Sequence, residues 1–236
     1  MKIVFFSDAH GNQYSVGKFF SQIKLFDKDL VIFGGDIFGY YYGQLEVLSM
    51  LRENNCLCLL GNHDHLFLDL VEGKIDEDYL VRRYGSTYKG IVDRIPEEYI
   101  RYMYTLKYRY DLEVDGMHLV FVHGSIDNPL KGRVYPDTNI DSLALYYGTD
   151  YVFMGHTHHK LIKELPNGTI LVNPGSIGQQ RDGRGCSYVI FDTKKRNCSI
   201  QRIDYDKEKL INEVKSHHET EEMENRLMEV IYRNKS

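Results

Sequence analysis

Five short clusters of polar residues in this sequence are built from side chains that proteins use to bind metal ions. The clusters are Asp8-Ala9-His10, Gly34-Gly35-Asp36, Gly61-Asn62-His63-Asp64, His123-Gly124 and Gly155-His156-Thr157-His158. Carboxylate, imidazole and amide donors in one site suit divalent transition metals. Such ions convert water into a nucleophile at neutral pH, so metal-assisted chemistry is the first hypothesis that these residue types suggest.

Each cluster has a simpler explanation when it is taken alone. An aspartate after a strand, such as Asp8, is commonly a helix N-cap. A glycine pair before Asp36 indicates a turn, and a lone histidine such as His123 is more often an ordinary hydrogen-bonded residue than a ligand. Every cluster follows an apolar run, however. The simpler explanations would have to hold separately for all five clusters to account for this shared position. A single shared site is the simpler interpretation.

The apolar segments before the clusters alternate between strand and helix patterns. Lys2–Ser7, Asp29–Phe33 and Cys56–Leu60 predict buried strands. Val16–Ile23, with apolar residues at helical spacing, and Gln44–Asn54 predict the helices between them. Strands that alternate with helices form a parallel sheet, and ligands bind beyond the carboxyl ends of its strands. We therefore expect the five clusters to meet at one edge of the sheet.

The second half of the chain predicts antiparallel strands. Asp115-Gly116 and Pro166-Asn167-Gly168 are turn signals of β-hairpins. The predicted strands are Tyr108–Val114, Met117–Val122, Leu161–Leu165, Thr169–Val172, Ser187–Asp192 and Cys198–Ile203. The sequence as a whole therefore predicts an α/β protein that contains both parallel and antiparallel strands.

Two further segments predict helices. Residues 66–106 lack a strand pattern, and Pro96 followed by two glutamates predicts a helix with proline at its first position. This tyrosine-rich insertion is either a lid over the site or a set of ordinarily packed helices. Residues 206–236 predict a charged terminal helix that either docks on its own domain or pairs with another subunit. We divide the chain into a domain of residues 1–205 and this C-terminal helical extension.

Composition and charge argue against several classes of function. The 236 residues are 42% hydrophobic and 27% charged, which predicts one folding unit. A net charge of −5 lacks the basic footprint of a protein that binds long nucleic acids. No apolar run approaches the roughly 20 residues that span a bilayer, and Met1-Lys2 leads into a strand pattern instead of a signal peptide. We expect a cytoplasmic protein without a membrane partner.

The four cysteines lie inside or beside apolar runs and lack the paired spacing of a zinc knuckle. We interpret them as reduced structural thiols. Cys56 and Cys58 share one face of a predicted strand, which leaves a metal role as the alternative for this pair.

The order of the five clusters resembles the calcineurin-like metallophosphoesterases, and the resemblance extends from Ile3 to about Gly178. The segment Asn173–Gln179 is similar to the one that follows the last histidine motif in the small bacterial and archaeal phosphodiesterase branch. This resemblance implies a four-layer α/β sandwich, in which two facing mixed β-sheets are flanked by helices.

The resemblance also implies a site for two divalent metal ions. The implied ligands are Asp8, His10, Asp36 and His158 for one ion and Asp36, Asn62, His123 and His156 for the other. Asp36 would bridge the two ions, since a carboxylate offers several lone pairs. The mixed donors suit Mn, Fe, Zn or Ni better than Ca or Mg, and manganese is our working choice. A water bridging two such ions would attack phosphorus in line.

His63 has no metal role in the implied ligand sets, and its place in the motif puts it beside the phosphate. We expect it to protonate the leaving oxygen or to hydrogen-bond the phosphoryl group. Asp64 would hold its imidazole in the right tautomer and favour the charged form.

The chain departs from the phosphoprotein phosphatases and the symmetrical dinucleoside tetraphosphatases after Asp36. Those relatives carry an arginine there that clamps phosphate, whereas this chain has Tyr40, Tyr41 and Tyr42. We therefore expect a small phosphodiester or nucleotide-like phosphate ester as substrate, with Arg133 or Arg181 as possible phosphate contacts. The alternatives are a phosphomonoesterase, a phosphoprotein phosphatase or a scaffold without catalysis. A homo-oligomer remains open.

Overall fold

Ten strands form two five-stranded sheets in the computed structural model, which describes residues 1–139, 141–143 and 147–233. In chain order the strands are β1 (Lys2–Phe6), β2 (Leu30–Phe33), β3 (Leu57–Cys58), β4 (Arg109–Val114), β5 (Met117–Val122), β6 (Tyr151–Phe153), β7 (Lys160–Glu164), β8 (Ile170–Pro174), β9 (Ser187–Asp192) and β10 (Asn197–Arg202). The first sheet has the order β10-β9-β1-β2-β3 and the second β4-β5-β6-β8-β7.

Both sheets are mixed. In the first, β1, β2 and β3 run parallel, while β9 and β10 add an antiparallel hairpin. In the second, β5, β6 and β8 run parallel, and β4 and β7 flank them in antiparallel register. The predicted turn at Asp115-Gly116 joins β4 to β5, and both residues have positive φ, as a two-residue hairpin turn requires.

The sheets face each other across an aromatic layer. Phe121 stacks on Phe153 with ring centroids 4.7 Å apart, and Phe5 from the first sheet lies within 6 Å of both rings. These side chains are fully buried, so the layer contributes both apolar area and ring contacts. The outer face of the second sheet is covered by residues such as Val134 and Tyr147 from the segment after β5.

Eight α-helices are described. They are α1 (Gln13–Ile23), α2 (Gln44–Glu53), α3 (Asn62–Val71), α4 (Glu77–Tyr84), α5 (Ile91–Arg94), α6 (Glu97–Thr105), α7 (Lys207–Ser216) and α8 (Glu221–Arg233). Helix α1 covers the outer face of the first sheet, where Phe19 lies 4.1 Å from the Phe6 ring centroid. The structure thus confirms two facing mixed sheets flanked by helices. None of the described helices has the length and apolarity to cross a membrane.

The elements differ from the sequence predictions in four places. Strand β6 was not predicted, because three residues are too few to show a period of two. Helix α1 begins earlier than the first apolar position Val16 suggests, at Gln13, and the side chain of Asn12 caps it. Pro96 is the N-cap of α6 and not its first helical residue. The terminal segment forms two helices, α7 and α8, with a turn that includes His218 at a φ of 49°.

The C-terminal helices dock on their own chain, which was one of the two predicted alternatives. Buried residues of α7 and α8, among them Leu210 and Leu227, pack against Tyr40, Tyr41 and Tyr42. Tyr41 is fully buried, and Tyr42 donates a hydrogen bond to Glu219 at 2.9 Å. The three tyrosines after Asp36 therefore form a docking surface for the extension.

We predict that Leu227→Ala lowers the free energy of unfolding by about 2–5 kcal/mol, because it removes a fully buried side chain from this contact. Asn225→Ala, at an exposed position of the same helix, should change it by less than about 0.5 kcal/mol. Urea denaturation measures both values. Equal, small effects would contradict the docking of α8.

Candidate metal centre

The polar clusters converge at one edge of the molecule, between the two sheets. Asp8 and Asp36 follow the parallel strands β1 and β2, while His123 follows β5 of the second sheet. Donor atoms of Asp8, His10, Asp36 and His158 all lie within 4.8 Å of one another, and those of Asp36, His123 and His156 form a second such group. Asp36, the residue predicted as a shared ligand, belongs to both groups.

Asn62 joins the second group. Its Oδ1 lies 3.0 Å from Nε2 of His123, and it is the first residue of α3. The structure therefore brings all seven predicted ligands together. No cysteine belongs to either group among the described residues, and burial raises the pKa of the Cys58 thiol to about 12. The interpretation of Cys56 and Cys58 as structural thiols is consistent with this arrangement.

The backbone at the site adopts conformations that side-chain-bearing residues rarely occupy. Positive φ values occur at Asp8 (60°), His10 (47°), Asp36 (66°), His156 (65°) and His158 (58°). Hydrogen bonds between loops hold these conformations, since the amide of Asp8 donates to Gly35 at 2.9 Å and that of His10 donates to Asp36 at 3.0 Å. Backbone strain of this kind persists where the surroundings enforce it, typically at functional sites.

Three of the histidines are oriented by backbone carbonyl groups. The contacts of their Nδ1 atoms are His10 to the oxygen of Phe38 (2.7 Å), His123 to Gly34 (2.9 Å) and His158 to Gln179 (2.6 Å). Because a carbonyl only accepts, each Nδ1 carries the proton, and Nε2 turns towards the centre. Metal-binding histidines are commonly fixed in this way by a partner on the other ring nitrogen.

The contact between His10 and His158 fits a cation. Their Nε2 atoms lie 3.0 Å apart, and burial lowers the pKa of both imidazoles, so both rings are neutral. With the protons on Nδ1, two lone pairs face each other at hydrogen-bond distance without a donor. The carboxylate of Asp8 lies 3.3 Å from His158 Nε2 and adds negative charge. This donor set suits a divalent metal ion.

Asp36 and His123 form a coupled buried pair. Burial disfavours charge on both groups, but the carboxylate lies 3.4 Å from Nε2 of the imidazole. Their mutual attraction holds the pKa of Asp36 well below its usual range and raises the pKa of His123 to about 9. An ion at this position competes with a proton for His123.

Asp64 holds the loop that carries Asp36 in place through hydrogen bonds. Its carboxylate accepts hydrogen bonds from four backbone amides, those of Asp36 (2.8 Å), Ile37 (2.7 Å), Phe38 (3.3 Å) and Gly61 (2.9 Å). The prediction that Asp64 contacts the ring of His63 is wrong, because an acid in the first turn of α3 folds back towards the amides at the helix start. Burial raises the pKa of Asp64 to about 7.

The partner of the His63 ring comes from the helical insertion. Nδ1 of His63 lies 3.2 Å from the hydroxyl of Tyr88, which belongs to the short turn between α4 and α5 and is 1% exposed. Tyr84 places its ring 4.6 Å from the imidazole. Burial lowers the pKa of His63 to about 4. Residues of the insertion thus contact this histidine, while Tyr99 packs near Arg52.

A cleft of about 520 Å³ opens onto the centre. It is lined by Asp36, Asn62, His63, His156, His158, Tyr40, Tyr84, Tyr135, Gln179, Val230 and five arginines, Arg82, Arg83, Arg133, Arg181 and Arg226. Sequence analysis pointed to Arg133 and Arg181 but missed the other three. Those lie on α4 and α8, where a charged residue is normally read as part of a solvated helix face.

Comparisons with known proteins identify the family of this chain. Residues 1–196 match the model of the calcineurin-like phosphoesterase superfamily domain. The uncharacterized protein MJ0912 of Methanocaldococcus jannaschii is 31% identical over 221 residues, which cover 86% of this chain and 88% of that protein.

Two solved structures share the fold. A metallophosphoesterase from Sphaerobacter thermophilus superposes with a TM-score of 0.76 at 24% identity, covering 97% of this chain and 99% of its own. The hypothetical protein PH1004 from Pyrococcus horikoshii OT3 gives a TM-score of 0.81 at 17% identity, covering 96% and 97%. The family match spans most of the sequence and includes all seven candidate ligands, so the chain belongs to the calcineurin-like phosphoesterase superfamily.

Proposed function

We propose that this protein is a phosphoric ester hydrolase that uses two divalent metal ions and acts on a small phosphodiester or nucleotide-like phosphate ester. The observation that carries the proposal is the position of Asp36, whose carboxylate belongs to two groups of buried donors at once. Every donor position is filled by a competent ligand, which favours catalysis over a role as an inactive scaffold.

The proposed ligands form two sets that share one residue. They are Asp8, His10, Asp36 and His158 for one ion and Asp36, Asn62, His123 and His156 for the other. When bound, such ions would acidify a water molecule and neutralise phosphoryl oxygens. Manganese is the proposed metal, with Fe, Zn and Ni as alternatives that the same donors accept.

His63 is the proposed proton donor to the leaving group. Its ring lies in the cleft, with the imidazole oriented by the Tyr88 hydroxyl. Burial lowers its pKa, whereas a phosphate dianion beside it would favour the charged form. His63 would thus take up its proton as the substrate binds and release it to the leaving oxygen.

The shape of the cleft supports a small substrate. Its volume of about 520 Å³ lies in the range of small-molecule sites. Of the three tyrosines after Asp36 only Tyr40 lines the cleft, since Tyr41 and Tyr42 pack against the C-terminal helices. Tyr40, Tyr84 and Tyr135 are the available rings for stacking on a base or another aromatic group.

We predict that Asp36→Ala weakens the binding of both ions, whereas Asn62→Ala chiefly weakens one. A ligand that binds only the folded state stabilises it by mass action, so thermal melts with and without manganese report occupancy. The stabilisation by manganese should vanish in Asp36→Ala and remain in part in Asn62→Ala. If manganese stabilised Asp36→Ala as much as it stabilises the wild type, the carboxylate of Asp36 would not be a shared ligand.

We predict that His63→Ala lowers turnover by roughly 10²- to 10⁴-fold, the usual span for a lost proton donor, with metal content near that of the wild type. The loss should be smaller for nitrophenyl esters than for alkyl esters, because acidic leaving groups need less protonation. Steady-state kinetics on both ester types measure this. Equal losses would assign His63 to phosphate binding instead.

We predict hydrolysis of small phosphodiesters in preference to phosphoproteins. With manganese present, bis(p-nitrophenyl) phosphate, p-nitrophenyl phosphate, a dinucleotide and a phosphoserine peptide are compared by kcat/KM. The peptide should be the poorest substrate, since the cleft of about 520 Å³ has the size of a small-molecule site. A preference for the peptide of more than about tenfold, worth about 1.4 kcal/mol in transition-state binding, would overturn the substrate assignment.

A further inference from the structure

The cleft concentrates positive charge in a protein that is acidic overall. Five arginines line it, and Asp36 is the one carboxylate among its described lining residues, although the chain has a net charge of −5. Four arginines elsewhere pair with acidic side chains, as Arg101 does with Glu97. In the part of the chain that the structure describes, no carboxylate lies within 4.0 Å of the five guanidinium groups in the cleft.

Two of these arginines contact Tyr40, and a third, Arg83, donates from Nε to the hydroxyl of the neighbouring Tyr84 at 2.9 Å. The guanidinium carbons of Arg181 and Arg226 lie 5.6 Å and 6.0 Å from the centre of its ring. Arg181 also donates to the Tyr40 hydroxyl at 3.0 Å, and Arg226 donates to the carbonyl oxygen of Arg83 at 3.3 Å. Like charges held together repel one another, and a bound anion would offset that repulsion.

The arginines of the cleft differ in their contacts with the metal centre. The ring of Tyr40 contacts the rings of His10 at 4.8 Å and His63 at 5.2 Å, and the guanidinium of Arg226 lies against this tyrosine. Arg181 also contacts the tyrosine, and its backbone amide donates to the carbonyl oxygen of His158 at 3.3 Å. Arg133, by contrast, donates to Nε2 of His156 at 3.1 Å and lies at the centre itself. A phosphate group at the centre would contact Arg133, which leaves Arg181, Arg83 and Arg226 for another anion.

Arg82, Arg83 and Arg226 lie on helices outside the metal-binding loops. Arg226 lies on α8, beyond the residues 1–196 that match the family model. The buried face of α8 is fixed by Leu227 and Met228, which pack against the surface formed by Tyr40, Tyr41 and Tyr42. Arg82 and Arg83 lie on α4 in the insertion. The insertion and the C-terminal extension thus each contribute guanidinium groups to the cleft.

We propose that Arg82, Arg83, Arg181 and Arg226 form a second anion site, which binds a phosphate group of the substrate other than the one that is hydrolysed. The preferred substrate class is then a small organic molecule with at least two phosphate groups, such as a nucleoside diphosphate or a diphosphate diester. Guanidinium groups bind phosphate through paired, charge-assisted hydrogen bonds. This inference rests on the proposed function and specifies the substrate of the same cleft.

The test compares the binding of AMP and ADP, which differ by one phosphate group, using isothermal titration calorimetry on the full chain with excess manganese. Wild-type protein should bind ADP at least about tenfold more tightly than AMP. Arg226→Gln and Arg83→Gln should each reduce this ratio at least threefold, since each removes one guanidinium from the second site. Arg101→Gln, on an exposed face of α6 outside the cleft, is the matched control and should keep the ratio.

Equal affinities for AMP and ADP in the wild-type protein would overturn the second anion site, and so would an unchanged ratio in both cleft variants with intact melting curves. The two proposals fail in different ways. Absence of turnover on bis(p-nitrophenyl) phosphate, with the ADP preference retained, would count against hydrolysis and leave the anion site supported.

Discussion

The carboxylate of Asp36 is the group on which the organisation of the site depends. One oxygen accepts a hydrogen bond from the backbone amide of His63 at 2.8 Å. The other oxygen lies 3.6 Å from Nε2 of His10 and 3.4 Å from Nε2 of His123. His10 follows a strand of the first sheet and His123 a strand of the second. The two sheets must therefore keep their packing for this side chain to meet both imidazoles, which links the aromatic layer between the sheets to the chemistry at their edge.

The position of Asp36 is itself determined by buried polar contacts. The carboxylate of Asp64 accepts hydrogen bonds from the backbone amides of Asp36 and Ile37. These hydrogen bonds hold the loop against the start of α3. A Cβ atom at Gly61 would overlap the carboxylate of Asp36, so only glycine permits this close approach. A left-handed backbone at Asp36 is costly by itself and is maintained by these contacts. Asp64 thus acts on the site through the backbone of Asp36.

Much of the site could be predicted from the sequence because each candidate ligand lies in the short segment that follows a strand. The residue order brought Asp8 and Asp36 together without any knowledge of distances, since parallel strands end at a common edge, whereas His123 follows a strand of the other sheet. The contacts of Asp64 and Tyr88 could not be predicted in this way. Asp64 turns back into a helix start, and Tyr88 reaches His63 from 25 residues along the chain. Such contacts depend on how α3 and the insertion pack.

The arginines of the cleft show a second limit of sequence reasoning. Arg82 and Arg226 lie on amphipathic helices, where the pattern of apolar residues predicts which face is buried but not what the exposed face meets. The three tyrosines after Asp36 stand where some relatives carry a phosphate-binding arginine. Two of them anchor α7 and α8, because the extension covers that surface. Tertiary packing decided the role of these residues.

The count of metal ions bound by each chain tests the account most directly. Purified protein would be stripped of metal, reconstituted with manganese, freed of unbound ions and measured by elemental analysis against protein concentration. A site in which Asp36 serves two groups of donors predicts two ions per chain. One ion per chain, or a site that stays empty in the presence of manganese, would contradict the shared carboxylate and with it the proposed hydrolytic centre.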